Sequence, residues 1–319
     1  MISRAFLMLT LVFAGEIVFG LPFHTARFYR PTLLEAFGFS NTELGDVFAV
    51  YGVMAMIAYF PGGALADRFA ARSLLTVSLV ATGLGGFYMM TYPGVAGMAM
   101  LYGYWGVTTI LLFWSALIRA TREWGGADAQ GSAFGLLEGG RGIVAALLAT
   151  IGVIIFALAM PDDAALATGE ERRAAFRSVI LLYSLAALAA AALVWILVPP
   201  RKHAGDASTG LFHGAASVLM RPLVWAQAAL IICAYCGFKG LDNYALYAVQ
   251  VLGMDEVDGA KLATYASYIR PVAAVGAGLL ADRWAVGKTA GLVFAVMIVA
   301  YLPLSFVLPV GAAIVVIYG

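Results

Sequence analysis

Gly63-Ala-Leu-Ala-Asp67-Arg68-Phe-Ala-Ala-Arg72 decides how the chain reads, because the sequence repeats it as Gly278-Leu-Leu-Ala-Asp282-Arg283-Trp-Ala-Val-Gly-Lys288. Asp67 and Asp282 stand 215 positions apart, so the chain reads as two copies of one larger unit. Each copy follows a long apolar run and precedes another, so each reads as a short charged hairpin between two membrane spans. Working outward, 63% of the residues are hydrophobic, only 12% are charged, and the mean hydropathy is +0.92. Soluble domains are about half apolar and a quarter charged, so the composition is that of an all-helical polytopic membrane protein. A formal net charge of +1 without a basic cluster argues against nucleic acid as a partner. Cys233 and Cys236 both lie in an apolar run and read as small hydrophobic filling rather than a redox pair.

A span needs about 20 mainly apolar residues. On that criterion helices are expected at about 5–27, 43–65, 73–92, 95–118, 133–159, 175–198, 223–250, 261–281 and 288–308, with a tenth beginning after Pro309. The first run is read as a span and not a signal peptide, because it is long, carries Glu16 and ends in no small-residue cleavage site. Residues 200–222 follow Pro199, open with Pro200-Arg201-Lys202 and small polar residues, and have apolar residues spaced like a short amphipathic helix from Leu211. They read as a linker with a short surface helix between a half at 1–199 and an incomplete half at 223–319.

Lys and Arg in the loops set the orientation. With the N-terminus inside, ten fall on the cytoplasmic side: Arg4, Arg68, Arg72, Arg119, Arg122, Arg201, Lys202, Arg221, Arg283 and Lys288. Six fall outside: Arg27, Arg30, Arg172, Arg173, Arg177 and Lys261. The expectation is a cytoplasmic N-terminus.

A charge at mid-membrane costs roughly 2.5–3.5 kcal/mol on insertion scales, so each one requires a reason. Glu16, Glu138, Arg141, Lys239, Asp242 and Arg270 fall inside expected spans. Glu138 with Arg141 and Lys239 with Asp242 are spaced three apart, which puts both members on one helix face. Such pairs either neutralise each other in the bundle or face a wet cavity as a solute or proton site. Subtracting the repeat offset from Lys239 and Asp242 lands on His24 and Arg27, so equivalent places on helices 1 and 7 offer polar groups. His24, Arg27, Arg141, Lys239, Asp242 and Arg270 are the candidate solute-binding residues. The bland reading of His24 and Arg27 is snorkelling at the end of helix 1. Glu16 and Glu138 are the candidate proton-coupling carboxylates, against the alternative that Arg141 or Lys239 holds Glu16 permanently. Gly135, Gly139, Gly140 and Gly142 make a small-residue packing face.

Gly63, Asp67, Arg68 and Arg72, with Gly278, Asp282, Arg283 and Lys288, read as a conformational latch. Each carboxylate can meet the positive end of a neighbouring helix, and the alternative is a solvated loop. This pattern resembles the loop signature of the major facilitator superfamily, where it lies between helices 2 and 3 on the cytoplasmic side and recurs between helices 8 and 9. The first copy departs from the family at Ala70, usually Gly, and keeps only Arg72 of the usual basic pair. A narrower likeness lies in Phe113-Trp114-Ser-Ala-Leu-Ile-Arg119 and in Gln130-Gly131-Ser-Ala-Phe134-Gly135-Leu-Leu-Glu138-Gly-Gly-Arg141-Gly142. Gly20-Leu-Pro22, Phe28-Tyr29 and Gly38-Phe39-Ser40 share it. These stretches are similar to a bacterial YihN-like branch of the superfamily. A fainter likeness to organophosphate transporters stops at His24, Arg27 and Lys239, which stand in place of a clear arginine pair.

The resemblance implies a monomeric inner-membrane transporter with a solute site between two halves and no cofactor. Twelve helices are implied, so the chain is expected to lack most of helix 10 and all of 11 and 12. The resulting expectation is a secondary transporter of a small polar, anionic solute, with proton coupling in view. The rival is a transporter-like sensor that binds a metabolite without moving it. An enzyme is not expected, since no metal-ligand cluster, nucleophile elbow or phosphate loop occurs, and His203 and His213 lie far along the chain from His24.

Overall fold

The computed structural model describes residues 4–126, 130–161, 167–200, 220–284 and 286–304, and for some of these the backbone alone. The chain runs through α1 (Arg4–Ile17), a π-helical turn (Gly20–His24), α2 (Thr25–Phe28), α3 (Arg30–Phe37), α4 (Asn41–Arg68) and α5 (Ala71–Met89). It continues as α6 (Val95–Gly106), a π-helical stretch (Val107–Trp114), α7 (Ser115–Gly125), α8 (Gln130–Ala159) and α9 (Gly169–Leu197). After the linker come α10 (Pro222–Lys239), a 3-10 turn (Gly240–Asn243), α11 (Tyr244–Gln250), α12 (Glu256–Trp284) and α13 (Val286–Leu304). No strand occurs among the described residues. In hydrocarbon a helix satisfies its own backbone polar groups, which is why the apolar runs take this form.

Local chemistry sets the boundaries. Ser40 accepts from the backbone N–H of Glu43 while the Glu43 carboxylate accepts from the Ser40 N–H, a reciprocal cap that starts α4. Thr168 and Glu171 do the same for α9. That cap starts the sixth span at Gly169 rather than near 175, so Arg172, Arg173 and Arg177 lie in its first turns and not in a loop. Gly38, at φ 69°, takes the left-handed cap that closes α3.

Among the described residues four helices are long and apolar enough to cross a membrane: Asn41–Arg68, Val95–Gly125, Ala133–Ala159 and Gly169–Leu197. The pair Arg4–Ile17 and Gly20–Phe28, bent by 41°, makes a fifth. Pro22 donates no backbone hydrogen bond, and with Gly20 beside it the helix yields there. Helices also stand at the other expected spans: Ala71–Met89, the shorter apolar Pro222–Gly237 and Gly287–Leu302, and Glu256–Trp284. The linker from 201 to 219 and the tenth span lie outside the described residues.

The six basic residues assigned to outer loops are all helical. Arg27 and Arg30 are buried in α2 and α3, while Lys261 lies in α12. Reading helix 1 as ending at 27 missed that the chain continues helically past Tyr29 into α3. Large apolar side chains such as Phe60, Leu158 and Ile196 point out of the bundle, the surface that lipid covers.

Close packing joins α5 to α9, α4 to α6, and α8 to both α1 and α12. A Cβ on Gly106 would stand 2.8 Å from the Tyr51 carbonyl oxygen and 3.2 Å from the Ala55 nitrogen, both backbone atoms that cannot move aside. Gly106→Val is therefore expected to destabilise the bundle by about 1–3 kcal/mol, read as a lowered unfolding midpoint in detergent. An unchanged midpoint would refute the close approach. The expected small-residue face on α8 is only partly used: Gly140 abuts Val12 and Gly142 abuts Pro271, whereas Gly135 and Gly139 face open space.

Candidate functional site

A cavity of about 520 Å³ opens beside the bend of the first helix and the break between α10 and α11. Two charge clusters line or back it. In the first, Glu16 sits buried near the end of α1 and accepts from Arg141 Nε at 3.1 Å. Its other oxygen lies 3.1 Å from His24 Nε2. Arg141 Nη1 also donates to Glu138 at 2.7 Å, and its guanidinium lies over the rings of Trp114 and Phe19. Glu138 is half exposed, whereas Glu16 is almost wholly buried.

In the second cluster Arg27 Nε donates to Asp242 Oδ1 at 2.6 Å and Lys239 pairs with Oδ2 of the same carboxylate. The Lys239 ammonium also stands 4.8 Å from the Phe23 ring centre and 5.0 Å from that of Phe48. Arg30 donates to the Asp242 carbonyl oxygen at 3.4 Å and to Asn41 Oδ1 at 2.8 Å. The break at Gly240–Asn243 lets Asp242 turn back to Lys239 while reaching Arg27. Two cations thus hold one carboxylate, and a third bonds the main-chain carbonyl of the same residue. Arg27 and Asp242, the positions that the repeat offset equates, touch one another.

The structure brings His24, Arg27, Arg141, Lys239, Asp242, Glu16 and Glu138 to one region. Arg270 lies in α12, and nothing is described of its side chain; the same holds for Gly278, Asp282 and Arg283. Tyr51 and Trp114 line the cavity, whereas Tyr102 and Trp105 are buried in the core and Tyr104 faces outward. Arg30, Asn41, Phe23, Phe48 and Tyr235 were not anticipated. Arg30 stood in an apparent loop, and ring contacts leave no signature in a chain that is 13% aromatic.

The first repeated stretch runs from the last turns of α4 into the first two residues of α5, with Phe69 and Ala70 as the link between them. Asp67 and Arg68 are exposed, and among the described residues neither forms an ion pair. Gly63 is exposed, with open space where a Cβ would stand. Arg72 lies flat on Trp195, 4.0 Å from the ring centre. Arg119 holds the corner, donating to the Ala66 carbonyl and pairing with Glu123. Lys288 is exposed. Cys233 and Cys236 are free thiols on an exposed face.

At the opposite end of the bundle a clasp joins α3, α9 and α12. Arg172 pairs with Glu35 at 2.7 Å and with Glu256 at 2.9 Å, and Thr32 donates to Glu256 at 2.9 Å. Glu256 precedes the apolar part of α12. Burial pushes its carboxyl above the usual 4.5, outweighing the Thr32 bond and the Arg172 charge. The clasped form therefore binds a proton more tightly than a released, hydrated form. Acid strengthens the clasp as pH falls through the raised value, fully so below 4.5, and that stabilisation is lost as pH rises through it. Thiol labelling of Val257→Cys, made without Cys233 and Cys236, is expected to slow on acidification from about pH 7.5 to 5, each unit of raised pKa allowing up to about tenfold. The rate is taken relative to the same site with Glu256→Gln, which cancels thiol ionisation. A ratio that rises in acid would reverse the assignment.

A buried charge network around a bent-helix cavity in an apolar helical bundle is the arrangement of a membrane transporter. The Major Facilitator Superfamily model matches residues 6–319, and the chain belongs to that family. It is 28% identical over 250 residues to the inner membrane protein YqcE of Escherichia coli, covering 77% of this chain and 56% of that protein. To the inner membrane protein YihN of the same organism it is 27% identical over 278 residues, covering 85% and 59%. The chain thus spans less than two thirds of the length of these curated relatives. Among solved structures, a bacterial homologue of the human lysosomal transporter Spinster, inward-facing and occupied, superposes with a TM-score of 0.68 at 14% identity. That match covers 99% of this chain and 70% of the other. The inward-facing, unoccupied form gives 0.61. At such identity the likeness is one of fold.

Proposed function

We propose that the protein is a secondary active transporter moving an anionic solute across the bacterial inner membrane by alternating access, with proton coupling. The observation that carries this reading is the meeting of Arg27 with Asp242 beside the cavity. Two residues related by an internal repeat touch only near the axis relating the copies, and facilitator-type halves rock against one another around a solute site that lies between them there. The halves are 1–199 and 223–319, joined by 200–222, in a monomer with its N-terminus in the cytoplasm. Lys239, Arg27, Arg141, His24, Asp242 and Arg270 bind solute, with the cationic members drawing the anion. Glu16 carries the proton, and Glu138 keeps Arg141 paired while it does. The clasp of Arg172 with Glu35 and Glu256 closes one end, and the Asp67-Arg68 and Asp282-Arg283 corners latch the other when the halves rock back.

The test is reconstitution of the intact protein in liposomes loaded with a pH dye. Candidate organic anions added outside should dissipate an imposed proton gradient faster than in protein-free liposomes. Ligands that raise the unfolding midpoint yet move no proton and no solute would overturn transport in favour of sensing.

A further inference from the structure

The cavity wall has a composition that a small polar solute does not explain. Around the charges it is built of Phe19, Phe48, Tyr51, Tyr59, Trp114 and Tyr235, with aliphatic carbon between them. Among the described lining residues there is no Ser, Thr, Asn or Gln. A polyhydroxylated ligand buried there would leave its hydroxyls without partners, a costly arrangement. Of the few phenols, Tyr51 is already bonded to Thr109 at 2.7 Å.

The cations are unequally available. Arg27 and Arg141 side chains are 10% and 9% exposed, and each faces a carboxylate. Lys239 is 29% exposed although it also touches Asp242, a carboxylate that it shares with Arg27. Phe23 and Phe48, near parallel at 14°, flank its ammonium. Among its described residues the wall thus offers one more accessible cation, Lys239, and aromatic rings over much of the rest. We propose that the ligand of this cavity is a monoanion with a flat apolar body, an aryl carboxylate in chemical class. Its carboxylate displaces Asp242 from Lys239, Asp242 retains Arg27, and its ring lies among Tyr51, Tyr59, Trp114 and Tyr235. A volume of about 520 Å³ falls within the range of small-ligand pockets, about 300–1,000 Å³. This inference rests on the transporter reading and narrows its solute.

The probes are benzoate, phenylacetate and indole-3-acetate, titrated into the intact protein in nanodiscs. Acetate, inorganic phosphate, glucose 6-phosphate and the neutral indole-3-ethanol serve as comparisons. At least one aryl acid is expected to bind about tenfold or more tighter than every comparison. Lys239→Gln should weaken the aryl acid about tenfold and leave indole-3-ethanol unchanged; Tyr59→Leu should weaken both and leave acetate unchanged. Monodisperse elution of each variant shows that it folds, and if one does not, the other decides. Acetate or phosphate binding as tightly as the aryl acids would overturn the inference, as would indole-3-ethanol matching indole-3-acetate. So would failure of all three acids to bind with Kd below about 10 mM. The same panel in liposomes separates the two readings. Flux of acetate or phosphate without aryl preference leaves transport standing and removes the ligand class. Aryl binding without flux does the reverse.

Discussion

Asp242→Leu is expected to destabilise the protein by about 3–5 kcal/mol, the cost of stranding a buried charge by removing its partner. The carboxylate neutralises Arg27, which is almost wholly buried, and also Lys239. Without it the Arg27 guanidinium has to shed its charge or drag water into the bundle, and arginine does not deprotonate. Lys239, open to the cavity, keeps its hydration and suffers less. Arg30 bonds the backbone carbonyl of residue 242 and Asn41, so both of its contacts survive the substitution. Adding Arg27→Met to Asp242→Leu should accordingly restore most of the lost stability, since a buried ion pair exchanged whole for apolar side chains is often neutral or better. Solute movement is not expected to return with it. Unfolding midpoints of the three proteins in one detergent decide the matter. Equal midpoints for the single and double variants would mean that Arg27 and Asp242 are not energetically joined.

How much of this was legible beforehand depends on whether an interaction is local. Glu138 with Arg141 and Lys239 with Asp242 are pairs within one helix, and a spacing of three announces them. The repeated Gly63–Arg72 stretch marks helix ends because charge cannot sit in hydrocarbon. Hydropathy, however, registers burial and not helix geometry, so the bend at Pro22 and the break at Gly240 passed unnoticed. Those two irregularities are what carry Arg27 and Asp242 to one another. Arg30 and Arg172 looked like loop residues because a cation is cheapest in water. Their partners, Asn41 for one and Glu35 and Glu256 for the other, lie on other helices and cannot be found by periodicity. The glycines of α8 show the opposite failure: four small residues promised one packing face, and neighbours reach only Gly140 and Gly142.

Glu16→Gln is expected to abolish solute accumulation driven by a proton gradient while leaving equilibrium exchange of the same solute. The site is asymmetric in a way that permits this. Arg141 bridges two carboxylates, and when Glu16 takes a proton the guanidinium still has Glu138 at 2.7 Å. Neutralising Glu16 therefore strands no cation, unlike the loss of Asp242. Glutamine preserves the length of the side chain and a carbonyl acceptor for Arg141 Nε but takes up no proton. A gradient of one pH unit supports about tenfold accumulation at one proton per solute, since a unit is worth about 1.36 kcal/mol. In Glu16→Gln liposomes that ratio should fall to about one, the value set by passive equilibration. Glu138→Gln should instead slow exchange without uncoupling it, because Arg141 then depends on Glu16 alone and resists its protonation. Accumulation that persists undiminished in Glu16→Gln would move the coupling to another group, and loss of exchange along with accumulation would make Glu16 a structural anchor for Arg141 and His24.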